Sequence, residues 1–482
     1  MKKRKRCVKI IGILMVAGLL LLSGCGFSDL KKVTDIKMYT ALLDRSDGLL
    51  REAIEEGADV NRLPITDGMR TENNHYERNP LRVGIWNGIS LDMVKMLLEA
   101  GADVNACDVE GCPVIFYSVY RDDERLCRMM LNYDADLSLV NKQGESILEY
   151  YINTDESGLR CFFPRKSMVK LLLEAGASAD EDTLQCVKRY GAYHILDLLY
   201  PMMKDSFSEL QKKYLEGDVE GGNRLLEQAK QLSETDRAVA AIYGNRESIN
   251  ILQQKQTDFY KKEGDKKSLV ELAAWNQNLE TVSAMLEVNG TPYEFDKYEF
   301  EAAVYRNDNA ELQEYLTNTG IIRIEDITES ELSYYVEADA LKTVKYILEH
   351  GYDISKGETR GGDLLNTAIL TELSEMTELL LSYGLDPNVE YSGLPEDPAW
   401  LAACESGNIE ILEILLERGA DLDRYGEEAL KTGIDFCQMD IIRLLSEKGV
   451  KVTKELYEFS QEEILSDHVK EYVKKLYEEQ NQ

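Results

Sequence analysis

Proline and histidine are scarce in this chain of 482 residues, at nine and four. Few prolines point to helices rather than to strands and turns. Four histidines leave little room for a histidine-rich metal centre. Positive charge is also short: 55 Lys plus Arg face 88 Asp plus Glu, a formal charge of −33. Binders of phosphate backbones need a basic footprint, so this balance argues against a nucleic-acid partner. Apolar residues make up 44% and charged residues 30%. That is globular composition, and it excludes a disordered, collagen-like or polytopic membrane chain. At roughly 150 residues per domain, the length suggests about three domains.

The chain opens with six residues, Met-Lys-Lys-Arg-Lys-Arg, followed by an uncharged apolar run over 10–22. The run is shorter than the ~20 residues that cross a bilayer. A basic start with a short apolar core is the pattern of a secretory signal. It ends Leu22, Ser23, Gly24, Cys25, which resembles the lipobox of bacterial lipoproteins. The resemblance implies cleavage before Cys25 and a diacylglycerol thioether on its sulfur. Residues 1–24 are then a signal peptide and 25–37 the lipidated cysteine with a short tether. The other readings are a signal without lipid, or an N-terminal anchor. Two or more acyl chains suffice for stable anchoring. Cleavage removes Lys2, Lys3, Arg4, Lys5, Arg6 and Lys9 and no acid, taking the charge from −33 to −39. An extended tether over 26–37 reaches about 40 Å.

Beyond Cys7 and Cys25, seven of the nine cysteines remain: Cys107, Cys112, Cys127, Cys161, Cys186, Cys404 and Cys437. None shows CxxC spacing, and a chain this long buries a core without staples. Buried small thiols are the default, with a single Cys107–Cys112 disulfide as the alternative.

The rest of the sequence repeats one phrase, an apolar-periodic helix followed by Gly. It occurs at Gly57, Gly101 and Gly176, and again at Gly351, Gly384, Gly419 and Gly449, spaced 33, 35 and 30 residues apart. Apolar residues at i, i+3 and i+4 give the helix one buried stripe. The glycine permits the left-handed residue that ends it. A second phrase, an acid or amide followed three residues later by Gly, occurs at Asp108, Asn141, Glu358 and Asp423 and reads as a tight turn. Helix pairs of this kind cannot bury their faces alone and must stack.

With these residues the chain resembles an ankyrin-repeat protein, whose repeat reads D-x-x-G-x-T-P-L-H-x-A-A-x-x-G-H-x-x-V-x-x-L-L-x-x-G-A-D. Residues 79–105 and 396–423 match best. The resemblance implies an all-α ankyrin-repeat solenoid of about a dozen stacked helix pairs with short hairpin turns. Repeats are expected over 38–200 and 267–459. The stretch 201–266 holds degenerate helical repeats, either a kink or continuous stacking. Residues 153–166 lengthen one repeat into a loop, and 460–482 form a capping helix.

No GxSxG, HExxH, phosphate-cradling or calcium-loop motif occurs. The four histidines fall in different repeats, and His350 beside Gly351 suits a helix C-terminus. The reading is therefore of a non-enzyme without cofactor or metal. In ankyrin proteins partners are held on the concave face, by turn residues and the end of the first helix. Carried to matching positions, this nominates Tyr76, Arg78, Trp86, Glu110, Tyr120, Arg121, Trp275, Arg360, Arg424, Tyr425 and Phe436 as partner-binding residues. They are Trp-, Tyr- and Arg-rich, the types that dominate binding energy. Trp86 and Trp275 share one repeat position, expected to face solvent, with packing against a neighbour as the alternative. Trp400 aligns with a core leucine.

The expected function is that of a lipid-anchored module on the extracytoplasmic side of a bacterial cell membrane. Its partner would be a cationic, membrane-proximal protein, scaffolded or neutralised. The alternative is an envelope lipoprotein that binds glycans or acts as an enzyme.

Overall fold

The computed structural model describes residues 27–63, 79–109, 111–153, 163–262, 266–289, 297–357, 359–391, 394–461 and 465–481. It is a series of antiparallel helix pairs. The first pair is α1 (Phe27–Asp44) with α2 (Asp47–Glu55), and the second is α3 (Pro80–Asn87) with α4 (Leu91–Glu99). The stacked-pair fold expected from the sequence is what forms.

The α4 helix shows why. Ser90 accepts a hydrogen bond from the Met93 N–H at 3.1 Å and starts the helix, a cap worth about 1 kcal/mol. Met93, Val94, Leu97 and Leu98 are all 5% exposed or less, each contributing about 1.5–3 kcal/mol by burial. Gly101 follows at φ 92°. A side chain there would meet nothing within 4 Å, so its glycine answers to backbone conformation, not to space. The acidic tail of the phrase also has a local role. Asp59, Asp103, Asp136, Asp353 and Asp386 each accept the N–H two residues on, at 2.8–3.1 Å. These Asx turns set the chain's exit from each pair.

Two compact units are present. Unit 1 holds the chain up to Tyr117, with Ala403–Ile409 and everything from Asp421 onward. Within it the first pair touches the last ones. The Ser46 hydroxyl donates to the Phe436 carbonyl, and Glu52 accepts the Asp467 N–H at 3.3 Å. The helix Asp467–Gln480 buries Val469 and Val473 at 1% and 0% exposure.

Unit 2 holds Ser118–Ala402 and Glu410–Ala420. Helix pairs are also present in the degenerate stretch. Glu209–Leu215 pairs with Val219–Gln228, and Glu234–Tyr243 with Arg246–Gln254. The helix Glu234–Tyr243 then packs directly on Leu269–Trp275. Trp400 is fully buried, as its alignment implies. The sequence gives no sign of the two-stranded ribbon Glu390–Tyr391 with Leu394–Pro398.

Three expectations change. The segment read as a tether is helical from Phe27. The phrase at Asp423 is no turn: Asp421 caps Arg424 at 3.0 Å, so the helix Leu422–Asp435 starts early and runs through Gly426. There a β-carbon would lie 3.0 Å from Val450; this glycine serves close approach. Cys107 and Cys112 are free thiols, in line with the default reading, but Cys107 is exposed and not buried. Cys107 lies opposite Pro113, and Asp108 bonds to Cys112, so the two cysteines fall one register apart.

Candidate functional site

Among the described residues of unit 1, Trp86 is the most exposed large apolar side chain. Asn79 caps α3 by accepting the Arg82 N–H at 3.1 Å, Pro80 begins the helix, and left-handed Gly88 ends it at φ 71°. Arg82 and Trp86 stand four residues apart, on one face. The Arg82 guanidinium lies 4.6 Å from the Trp86 ring centre and 5.2 Å from that of Tyr117. The Trp86 and Tyr117 rings meet edge to face at 6.3 Å. Tyr117 donates to Asp108 at 2.5 Å, and burial together with that carboxylate pushes its phenol well above the ordinary range. The indole therefore rests on a braced Arg–Tyr–Asp support while remaining 54% exposed. A large rigid surface held open in this way binds with little side-chain ordering cost.

Trp275 occupies the same place in its pair. Each tryptophan lies two residues before the left-handed turn residue, Gly88 or Gln277. Yet Trp275 is 2% exposed. Phe163 meets it edge to face at 5.1 Å, and His194 lies 6.0 Å away. Lys267 sits 4.8 Å from the Phe163 ring centre and 5.5 Å from that of Trp275. The solvent-facing expectation for Trp275 is overturned, because Phe163 folds over it. His194 is buried, its Nε2 2.7 Å from the Pro164 carbonyl. Burial lowers its pKa to about 3.

The same turn register recurs at Tyr120, Arg306 and Leu370, before left-handed Asp122, Asp308 and Glu372. Leu370 is 45% exposed, whereas the Arg306 side chain turns inward to Asp122. Arg306 Nη1 is 2.6 Å, and Arg165 Nε 2.8 Å, from an Asp122 carboxylate that is 1% exposed. Tyr151 donates to the same carboxylate at 2.5 Å, and burial with that charge raises its phenol pKa well above normal. Nearby, Arg125 donates to the Thr371 and Glu372 carbonyls at 2.8 and 3.2 Å. Hairpin turns far apart in sequence thus meet inside unit 2. Sequence reasoning missed this hub, since only the fold joins its members.

The other candidates are dispersed. Tyr120 is half-buried and Arg121 exposed, both beside the Asp122 hub. Arg360 is exposed and left-handed at φ 54°. Arg424 stacks on Tyr425 at 4.7 Å. Tyr425 is only 8% exposed, because it lies in a helix and not a turn. Phe436 is half-buried, with its carbonyl taken by Ser46. Cys25, Tyr76, Arg78 and Glu110 lie outside the described residues. Tyr298 and Tyr334, 71% and 57% exposed, were not singled out from the sequence. They stand on the first helices of consecutive pairs, Lys297–Arg306 and Glu329–Glu337.

Among the described residues no group of three or more His, Cys, Asp or Glu is placed to hold a metal ion. No described helix is long and apolar enough to cross a membrane.

Comparison with known proteins agrees with this architecture. A family model for ankyrin repeats in three copies matches residues 365–455, and one for ankyrin repeats in many copies matches residues 90–131. An ankyrin repeat protein of fowlpox virus (strain NVSL) is 27% identical over 136 residues, covering 26% of this chain and 20% of its own. An ankyrin repeat and KH domain-containing protein of Caenorhabditis briggsae is 22% identical over 408 residues, covering 80% of this chain and 14% of its own. The chain thus spans a fifth or less of the length of these curated relatives.

Proposed function

Because the chain carries ankyrin repeats on an all-α scaffold, we propose that it is a non-enzymatic protein-binding module anchored by lipid at Cys25 to the outer side of a bacterial membrane. The observation that carries the binding role is Trp86, held open on Arg82 and Tyr117. The anchor is supported by Leu22, Ser23, Gly24 and Cys25 directly after the apolar run. The formal charge of −33, deepening to −39 after cleavage, favours a cationic protein and speeds its encounter. Scaffolding of envelope proteins and neutralisation of a basic one are both served by such a surface.

The test is affinity capture from envelope extract on the immobilised mature chain, run beside the Trp86→Ala variant. A basic protein retained by the parent, lost from the variant and released by salt supports the reading. Retention of cell-wall glycan at high salt, with no protein bound, refutes it in favour of sugar stacking.

A further inference from the structure

We infer that α1 is a rigid stalk that holds unit 1 with one chosen edge toward the bilayer; this rests on acylation of Cys25. The described part of the helix runs from Phe27, two residues after that cysteine in sequence. It is 18 residues long, whereas its partner α2 has 9. The later part of α1 is seated firmly. Thr34 is 6% exposed, and Met38, Ala41 and Leu42 are fully buried. Lys37 forms ion pairs with Glu52 at 3.0 Å and Glu56 at 2.7 Å.

The asymmetry in length fixes the direction. Asp35 accepts the Asp59 N–H at 2.9 Å, so Asp35 is level with the turn that leaves the first pair. The helical residues before it project past that turn by about 12 Å, at 1.5 Å per residue. An extended tether would leave the unit free to tumble, but a docked helix does not.

The edge turned to the lipid is continuous. Asn61 donates to the Gly101 carbonyl at 3.0 Å and accepts the Asp103 N–H at 2.7 Å. The turns after the first and second pairs therefore form one surface. The opposite edge is joined likewise, by Arg45 donating to the Asn87 carbonyl at 2.9 Å. Trp86 lies on that opposite edge, about 13 Å further from the lipid, the length of nine helical residues. Glu56 and Asp59 on the near edge are repelled by anionic headgroups. A stalk of about 12 Å holds them beyond one Debye length, where the repulsion is largely screened. The partner of Trp86 then arrives from the aqueous side and need not be embedded in the bilayer.

The acylated full chain, made in a bacterial host, can be reconstituted in phosphatidylethanolamine–phosphatidylglycerol vesicles bearing nitroxide headgroups. A dye is introduced either at Arg62, on the near edge, or at Asp92, beside the opposite one; both residues are exposed. Several-fold stronger quenching at Arg62 is expected. The difference should collapse when a flexible Gly-Ser segment is inserted between Gly26 and Phe27. Equal quenching without the insert, or stronger quenching at Asp92, overturns the orientation and leaves the anchor intact. Intact mass showing Cys25 without acyl chains overturns the anchor, and the orientation with it.

Discussion

Arg306 Nη1 lies 2.6 Å from the carboxylate of Asp122, 184 residues away in sequence. The carboxylate also faces Arg165 and Tyr151. Removing it strands two guanidinium groups in a poorly solvated place, and loss of one partner from a buried pair costs about 3–5 kcal/mol. Asp122→Ala should therefore lower the unfolding free energy of unit 2 by that amount. Asp122→Gly should do nearly the same despite relieving the left-handed φ of 53°. Equal stability of Asp122→Gly and the parent would mean that the backbone conformation, and not the charge, is what matters here. Denaturant titration followed by Trp275 fluorescence reads this directly.

The two tryptophans of one register should respond oppositely. Trp275→Ala removes a buried aromatic and should cost about 3–5 kcal/mol of stability. Trp86→Ala should change stability by well under 1 kcal/mol, since the ring is 54% exposed. Its loss should instead weaken partner binding by about 2 kcal/mol or more. Melting curves and titration calorimetry on both variants separate the effects.

Two buried groups give pH dependences confined to different windows. Burial raises the Asp47 pKa in unit 1 from 3.8 to about 6. Its folded state then binds more protons than the unfolded chain between those values, so stability falls as pH rises from about 4 to 6 and is flat above. Asp47→Asn should stabilise unit 1 at pH 7, by up to about 3 kcal/mol, and have little effect at pH 4. Burial lowers the His194 pKa in unit 2 from 6.5 to about 3. Its contribution is complete above pH 6.5 and lost as pH falls toward 3. His194→Gln should flatten that decline. Unfolding midpoints measured every half pH unit test both signs.

Thiol chemistry should follow burial. Burial pushes the Cys127 thiol to about 11, that of Cys437 to about 12, and that of Cys404 higher still. Cys107 is exposed. Alkylation of the native chain, mapped by mass spectrometry, should modify Cys107 and spare those three until denaturant is added. A mass gain on reduction from a Cys107–Cys112 bond would contradict the register of that turn.

Local physics was readable in the sequence. The recurring glycines all carry φ between 88° and 102°, and Asp59, Asp103, Asp353 and Asp386 after four of them hold Asx turns. Both depend only on residues a few positions apart. The place of Trp86 was legible for the same reason, though not Arg82 beneath it, which the four-residue spacing could have suggested. Trp275 was misread because its cover, Phe163 and His194, comes from elsewhere in the chain. The Asp122 hub was invisible because its arginines lie 43 and 184 residues away. At Asp423 the turn reading failed to a competing signal, the Asp421 cap that begins a helix first.

The bond between Ser46 and Phe436 carries a consequence for how the protein comes apart. In an ordinary linear array the outermost repeat has one neighbour, so melting begins there and trimming is tolerated. Here, within unit 1, the first described pair leans on helices about 390 residues later in the chain, so neither has the single neighbour of an outermost repeat. Removing the helices after Asp421 should therefore loosen α1 and α2 at once, so that unit 1 loses its fold abruptly where a linear array would lose it step by step.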